Sequence, residues 1–579
     1  MNAWTEIAAE TLSAAHFLLE GLKEVGIEYL FVNMGTDHAP LIEELARWKA
    51  EGLEPPALVI CPHESTAAHM AGGFALATGR GQAALVHVDV GTANAAMGMH
   101  NMARSRLPMM LLAGKAPYTS HGELLGSRDN YVHFIQEPAD QGALVRPYAK
   151  WEYTLQSGVT AKEVVRRAHT IMQSGARGPV YLMLPREALT QEVEVSAVAS
   201  FPTHKHGPAE PSGIEQIAIA DLAERLMKAE RGIILTSYGG HTEGTSEAID
   251  RLSQLVGMRV FEPNMVSNIS HEMACFSGFA AGKHLGSADV GLIVDSDVPW
   301  MPSQQRPNPD TYWAHIDVDV LKPSSPIWSF PADRRLEGNS ARILGQLIDY
   351  IEERADAGLR AAAAARVETI RAERSAMKAK AREAAADPGS NGAINPRYFL
   401  SELGKALRED DMILHEAVRN QPAMVQQIAR SRGNTMVRTG GGGLGASGGM
   451  ALGYKLAKPQ ALVVQIIGDG GFFYNNPSSV YAVSRQYDLP ILTIVLDNAG
   501  WSAVKESTLR VYPDGHAKSA EDFGSQIERG TRFAVMAEMF GFAGFTLSDP
   551  LEVSRVVAEA VETVRGGRTA IVHVHVPDH

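Results

Sequence analysis

Cysteine is scarce in this sequence, which has only Cys61 and Cys275 among its 579 residues. Two thiols give neither the repeated spacing of a metal site nor enough crosslinks to frame a chain of this length. We therefore expect both to be buried free thiols in a reducing compartment. A disulfide-stabilised secreted fold and a cysteine-bound metal are both disfavoured.

Long apolar runs and an excess of positive charge are also missing. No apolar run reaches the length of a transmembrane helix. The first 26 residues place apolar and acidic residues at helical spacing, without the basic start and unbroken apolar core of a signal peptide. Lys and Arg number 53 against 66 Asp and Glu, and the formal net charge of −13 argues against nonspecific nucleic-acid binding. We expect a cytoplasmic protein that binds neither membranes nor nucleic acids.

What the sequence does contain is an alternation of short apolar strands and helices from end to end. This pattern predicts parallel sheets with helices on both faces, and 579 residues exceed what one hydrophobic core holds. A Pro-, Ser- and His-rich stretch near residues 190–212 and a helix stop at Asp387-Pro388-Gly389 divide the pattern. We predict an α/β fold of three doubly wound parallel-sheet domains at 1–192, 210–355 and 391–579, with a helical linker at 356–390.

Two polar residues follow apolar strands in the last third of the chain. Asp469 comes directly after "ALVVQIIG", between Gly468 and Gly470, and Asn498 ends "PILTIVLDN". The carboxyl ends of parallel strands share one edge of a sheet, where α/β folds bind ligands. A carboxylate and an amide oxygen suit Mg²⁺, with the Gly500 carbonyl as a third oxygen and a ligand's phosphate oxygens completing the shell. The pattern predicts a diphosphate clamp, although Asp469 alone could be a helix cap.

The stretch from "GDG" to "DN" resembles the thiamine-diphosphate signature, which begins Gly-Asp-Gly and ends Asn-Asn. Asp497 replaces the first Asn of that pair. The sequence has no Walker-type phosphate loop, and no G-x-G-x-x-G follows a strand. The resemblance implies a Mg²⁺ ion held by Asp469, Asn498 and Gly500. The glycines that it places against the cofactor are Gly468, Gly470 and Gly471.

The segment "CPHESTAAHMAGGFALATGR" resembles the part of these enzymes that carries a Glu before a small-residue helix. The resemblance implies that Glu64 binds the aminopyrimidine ring of the cofactor and acts as an acid–base group. Taken alone, Glu64 is better explained as a carboxylate that faces a helix dipole, and the neighbouring clamp favours the acid–base role. By the same resemblance, Gly443 and Leu444 contact the cofactor, Leu444 as the apolar wedge that bends it. The first domain is then the pyrimidine-binding one and the third the diphosphate-binding one.

Two further stretches, "VHVDVGTANAAMG" and "FIQEPADQG", resemble the acetolactate synthase and benzoylformate decarboxylase branch, and the likeness covers essentially the whole chain. Thr36 lies where decarboxylases carry Ser or Asp, and His87 lies where benzoylformate decarboxylase has a catalytic His. Gln136 matches a Gln that faces the cofactor, and His38 is a neighbour of Thr36. The resemblance therefore implies that these four residues are candidates for handling protons or binding substrate.

Trp501 and Ser502 follow the predicted metal loop, in a region that faces substrate and cofactor in the resembled enzymes. The middle domain lacks the Arg-Phe-Asp-Asp-Arg stretch of flavin-binding acetolactate synthases, so we expect no FAD. The resemblance implies a thiamine-diphosphate- and Mg²⁺-dependent enzyme that decarboxylates a 2-oxo acid or joins it to a second carbonyl compound. It also implies a homodimer or homotetramer with active sites at the subunit interface. The alternatives are a 2-hydroxyacyl-CoA lyase or oxalyl-CoA decarboxylase, and a non-catalytic paralogue that acts as a binding or regulatory subunit.

Overall fold

The structure is a computed structural model that describes residues 10–200 and 202–578. Within the described residues, a short strand precedes the first helix, where the sequence pattern predicts helix. Thr11–Ser13 form strand β1, and helix α1 spans Ala14–Glu24, with the Ser13 side chain accepting the His16 N–H as its cap. Residues 1–9 of that predicted helix, and the predicted domain ends at residues 1 and 579, lie outside the described residues.

Strands and helices alternate through the first 200 residues. They are β2 (Tyr29–Val32), α2 (Ala39–Ala50), β3 (Ala57–Ile60), α3 (Glu64–Thr78), β4 (Gln82–Val86), α4 (Val88–Arg104), β5 (Met109–Lys115), α5 (Val132–Ile135), β6 (Glu152–Thr154), α6 (Ala161–Gln173), β7 (Pro179–Pro185), α7 (Arg186–Thr190) and β8 (Glu192–Glu194). The strands from β2 to β7 form one parallel sheet in the order β3-β2-β4-β5-β7-β6, while β1 pairs with β8 antiparallel. The carboxyl ends of β2, β4 and β5 therefore lie side by side.

The middle of the chain forms a second parallel sheet, in the order β10-β9-β11-β12-β13. Its elements are α8 (Gln216–Lys228), β9 (Ile233–Thr236), α9 (Thr245–Val256), β10 (Arg259–Phe261), α10 (Lys283–Ser287), β11 (Val290–Val294), β12 (Tyr312–Asp317), β13 (Arg334–Glu337), α11 (Ser340–Arg354) and α12 (Ala357–Ala384). α12 spans most of the predicted linker. Its Val367 and Ile370 are buried in the core beside this sheet, so the helix packs against the central fold.

The last part of the chain forms a third parallel sheet, in the order β17-β16-β18-β19-β21-β20. The elements of this part of the chain are β14 (Gly389–Ser390), β15 (Ala393–Ile394), α13 (Pro396–Ala406), β16 (Met412–Glu416), α14 (Gln421–Gln427), β17 (Met436–Val437), α15 (Ser447–Ala457), β18 (Val463–Gly468), α16 (Asp469–Tyr474), α17 (Pro477–Gln486), β19 (Leu492–Asp497), α18 (Ser502–Val511), α19 (His516–Ala520), α20 (Val535–Met539), β20 (Ala543–Leu547), α21 (Val553–Arg565) and β21 (Ala570–His575). β14 and β15 pair with each other in a separate antiparallel sheet. β18 and β19 are direct neighbours, with Gly468 opposite Leu496.

The pattern of apolar residues explains these layers. β18 and β19 are buried along their lengths up to the last residue of each, because helices cover both faces of a parallel sheet. α21 instead buries one face, through residues spaced three and four apart such as Val553, Val556, Val557 and Val561. Three parallel sheets with flanking helices confirm the predicted α/β fold.

The chain divides into two compact units. The first holds the described residues up to 210 together with 439–460 and 474–489, and the second holds 211–438, 461–473 and 490–578. This division is coarser than three domains, and the predicted boundaries remain a prediction. Cys61 and Cys275 are free and buried, as expected. Among the described helices, none is both long and apolar enough to cross a bilayer.

Glycine permits the closest helix packing in the first unit, between α3 and α15. A Cβ on Gly73 would lie 2.0 Å from the carbonyl oxygen of Met450, and one on Gly453 would lie 2.0 Å from that of Met70. Backbone carbonyls cannot move aside as a flexible side chain can. The small residues that the sequence places in both helices therefore let the two backbones touch.

Candidate active site

Glu64 opens α3, where the helix dipole favours a negative charge. Asn94 of α4 donates its Nδ2–H to Glu64 Oε2 at 3.0 Å. The Glu64 side chain is 11% exposed, so its carboxylate is largely shielded from solvent. A shielded carboxylate with one oriented oxygen suits an acid–base role.

α4 also binds the glycine-rich segment around Gly443, which belongs to the same compact unit as α4. Asn101 donates its Nδ2–H to the Gly443 carbonyl at 3.0 Å and accepts the Gly443 N–H at 3.2 Å. Leu444, the predicted wedge, follows directly and is partly buried. Asn94 and Asn101 stand seven residues apart, which is two helical turns or about 10 Å on one face of α4. One helix face thus binds both Glu64 and the Gly443 segment.

A second polar group lies at the carboxyl ends of β2 and β4. Asp37 and His87 are hydrogen-bonded through Oδ1 and Nδ1, and the opposite ring nitrogen of His87, Nε2, lies 3.2 Å from Gln136 Oε1. Asp37 is only 1% exposed. Its hydrogen bond raises the pKa of His87 above the ordinary value, against the opposing effect of burial. The predicted residues His87 and Gln136 therefore come together, around an acid that the sequence interpretation did not include.

Thr36 and His38, the other two residues predicted near the substrate, differ in their exposure to solvent. Thr36 is exposed, directly before Asp37. His38 is fully buried, accepts the Gly35 N–H at Nδ1 over 2.9 Å, and places Nε2 3.2 Å from Asp37 Oδ2. Burial lowers the pKa of His38. His38 therefore contacts Asp37 from within the core, while Thr36 is accessible, and the predicted roles of both stay predictions.

The predicted metal ligands gather at one edge of the third sheet. Asp469 begins α16 directly after β18 and is 2% exposed. The Gly500 N–H donates to Asp469 Oδ2 at 2.7 Å, which joins the loops that follow β18 and β19. Asn498 donates from Nδ2 to Ser502 Oγ. Gly470 and Gly471 occupy the first turn of α16 and are buried.

Asp497, which departs from the signature, is hydrogen-bonded to Asp469 and accepts from His573 Nε2 at 2.8 Å. Burial and the charge of Asp497 raise the pKa of Asp469 to about 6. Burial is the largest single effect and disfavours a charge on Asp497, but the hydrogen bond from His573, the Ala499 N–H and the charges of His573 and His575 together outweigh it and lower the pKa of Asp497. Two adjoining carboxyl groups, an amide and backbone carbonyls form a set of oxygen donors that fits Mg²⁺.

Trp501 and Ser502 lie beside this edge. A Cβ on Gly470 would lie 2.3 Å from Trp501 Nε1, so the indole lies directly against the Gly470 backbone. Ser502 is buried and bonded to Asn498. Both residues therefore contact the segments that carry the predicted metal ligands.

Sequence reasoning missed the partners of the residues that it named: Asp37, Asn94, Asn101 and His573. The spacing of Asn94 and Asn101 was a usable signal, because seven residues return to the same helix face. His573 gave no local signal, since its pairing depends on β19 and β21 being neighbours.

Comparison with known proteins gives consistent matches. The N-terminal TPP binding domain of thiamine pyrophosphate enzymes matches residues 12–144, and the C-terminal TPP binding domain of these enzymes matches residues 419–574. The acetolactate synthase isozyme 3 large subunit of Escherichia coli (strain K12) is 24% identical over 584 residues, covering 98% of this chain and 95% of that protein. The probable acetolactate synthase large subunit of Methanocaldococcus jannaschii is 24% identical and covers 95% of this chain and 90% of its own.

A solved structure shares the fold over almost the full length. Benzoylformate decarboxylase from Polynucleobacter necessarius superposes with a TM-score of 0.76 at 15% sequence identity, covering 98% of both chains. At that identity the likeness concerns the fold. The two matched domains span the segments that carry Glu64 at one end of the sequence and Asp469 and Asn498 at the other.

Proposed function

We propose that this chain, which belongs to the thiamine pyrophosphate enzymes, uses thiamine diphosphate and Mg²⁺ to cleave or form a carbon–carbon bond beside the carbonyl of a 2-oxo acid. The activity is that of a decarboxylase, an acyloin-forming carboligase of the acetolactate synthase kind, or both. The observation that carries the proposal is the placement of Glu64, a shielded carboxylate at a helix start with one oxygen oriented by Asn94 at 3.0 Å.

Thiamine diphosphate, when bound, would supply the nucleophilic carbon for attack on the substrate carbonyl. Glu64 holds the aminopyrimidine and exchanges a proton through its carboxyl group. The Mg²⁺ ligands are Asp469, Asn498 and the Gly500 carbonyl, whose hard oxygens suit this ion. The residues that lie along the cofactor are Gly443, Leu444, Gly468, Gly470, Gly471, Trp501 and Ser502.

The substrate end of the site is formed by His87, Gln136 and Thr36. His87 is partly exposed and hydrogen-bonded on both ring nitrogens, so it suits a group that binds the substrate and moves a proton. The fully buried His38 acts through Asp37. We place the enzyme in the cytoplasm as a homodimer or homotetramer with active sites at the subunit interface.

A substrate panel tests this function. The full chain, with thiamine diphosphate and Mg²⁺, is incubated with 2-oxo acids, alone and with aldehyde acceptors, while CO₂ release and carbonyl products are followed together. CO₂ with an aldehyde or acyloin product, absent in Glu64→Gln, supports the proposal. If the chain cleaves only 2-hydroxyacyl-CoA or oxalyl-CoA esters, it is the CoA-dependent lyase or decarboxylase instead. Cofactor binding without turnover of any substrate would assign a non-catalytic subunit.

A further inference from the structure

Asp37 is buried at the carboxyl edge of the first sheet, where its oxygens have three partners from two segments. Oδ1 bonds His87 Nδ1, while Oδ2 lies 3.2 Å from His38 Nε2 and 3.4 Å from the Val88 N–H. An ionised carboxylate only accepts hydrogen bonds, so His87 must carry its hydrogen on Nδ1. The ring is thereby fixed with Nε2 turned away from Asp37, toward Gln136.

Two glycines make the space that this pair occupies. A Cβ on Gly35 would lie 2.1 Å from His87 Nδ1, and a Cβ on Gly114 of β5 would lie 1.3 Å from Asp37 Oδ2. Neither neighbour could shift without breaking the hydrogen bond between Asp37 and His87. The local backbone is therefore built around that bond.

The backbone directly after His87 is strained beside the same contact. Val88 has φ of 27°, a value that a β-branched residue rarely adopts. The N–H of this residue lies 3.4 Å from Asp37 Oδ2. Strain of this kind persists where the surrounding structure enforces it, often at functional sites.

We propose that Asp37 is a positioning residue whose carboxylate fixes the His87 ring, so that the Nε2–H of His87 is presented to the substrate as a proton donor. The N–H bond at Nε2 breaks, a C–H or O–H bond forms on the substrate, and the electron pair of the N–H bond stays on Nε2. His87 then remains as a neutral ring whose Nδ1–H is still bonded to Asp37. This inference rests on the proposed function, because a proton donor needs a substrate.

Charges from each neighbouring element bear on the protonation of His87. Asp37 and His38 face it from the 3₁₀ turn Thr36–His38, Asp89 from the start of α4, and His133 from α5. His133 lies in turn against Arg186 and Asp129. Both Asp37 and Asp89 raise the pKa of His87, and the hydrogen bond from Asp37 is the largest effect.

The test measures His87 directly, in the full chain without substrate. Diethyl pyrocarbonate modifies only unprotonated imidazole, so the pH dependence of modification of the His87 peptide, read by mass spectrometry, gives its pKa. In the wild type we expect the half-maximal rate at a pH above the usual value of about 6.5. In Asp37→Asn we expect the midpoint to fall to lower pH, and hence modification of the His87 peptide to be several-fold faster near neutral pH.

Asp129→Asn is the matched control, because it removes a carboxylate from the same wall that contacts His133 and Arg186. Its His87 profile should match the wild type. A wild-type midpoint at or below about 6.5 would overturn the inference even if Asp37→Asn does not fold. An Asp37→Asn profile equal to the wild type would also overturn it. Because no turnover is needed, a failed substrate panel with a shifted His87 profile would count against the proposed function alone.

Discussion

Asp469 and Asp497 are hydrogen-bonded to each other at the carboxyl ends of adjacent strands, although both are acids. Asp497 also has a histidine, His573, as a partner. The shared proton therefore resides mainly on Asp469, whose pKa is about 6. A divalent cation at this edge must displace that proton, which couples cation binding to pH.

The first prediction concerns that coupling. Because the pKa of Asp469 is raised above its ordinary 3.8, the proton stabilises the folded chain fully below about pH 4, and this contribution is lost as pH rises through about 6. Cation binding should strengthen as Asp469 loses its proton, by about tenfold between pH 5 and pH 7. Mn²⁺ binding followed by electron paramagnetic resonance measures it.

Asp469→Asn should weaken Mn²⁺ binding at pH 7 and remove most of its pH dependence. Asp488→Asn is the matched control, since Asp488 is exposed and its φ of 50° suits Asn equally well. Wild-type binding that is equally tight at pH 5 and pH 7 would contradict the assignment.

The second prediction concerns the residue that departs from the signature. Asp497→Asn removes the negative charge beside Asp469, so the pKa of Asp469 should fall and Mn²⁺ should bind at lower pH than in the wild type. The change also takes a charged acceptor from the buried His573 ring, at a cost of about 1–3 kcal/mol in stability. A pH profile unchanged from the wild type would show that Asp497 does not act on Asp469.

The third prediction concerns the packing of α3 on α15. Gly73→Ala places a methyl group 2.0 Å from the Met450 carbonyl oxygen, so the helices must separate. Overpacking of this kind costs about 1–3 kcal/mol, which should appear as a lower midpoint in thermal and denaturant unfolding.

Gly345→Ala is the matched control for that change. Gly345 lies within α11, and a Cβ there would meet no atom within 4 Å. Alanine removes the entropic cost of helical glycine. The free energy of unfolding should therefore rise by about 0.5–1 kcal/mol, and the unfolding midpoint should rise with it. A Gly73→Ala chain as stable as the wild type would mean that α3 and α15 do not pack this closely.

Much of the fold could be predicted from the sequence because its strands and helices are locally encoded. Continuous apolar runs such as "VVQIIG" give buried parallel strands, and the residue that follows such a strand lies at the ligand-binding edge. Asp469 and Asn498 could therefore be placed at one edge before the sheet order was known. Glu64 could be placed at a helix start, since the small-residue pattern of α3 begins there.

The partners of those residues could not be predicted, because they depend on which strands are neighbours. Asp37 meets His87 since β2 and β4 adjoin, and it fits only because β5 has a glycine at position 114. Asp497 meets His573 since β19 adjoins β21. Strand order within a sheet is set by tertiary packing rather than by any local pattern.

Proton exchange at the thiazolium C2 of bound thiamine diphosphate, followed by NMR after acid quenching, tests the central claim most directly. Glu64→Gln should fold normally and bind the cofactor nearly as well, but exchange at least about a hundredfold more slowly, because the positioned acid–base group is gone. Glu54→Gln, at an exposed glutamate, should exchange at the wild-type rate. Exchange at the wild-type rate in Glu64→Gln would contradict the account.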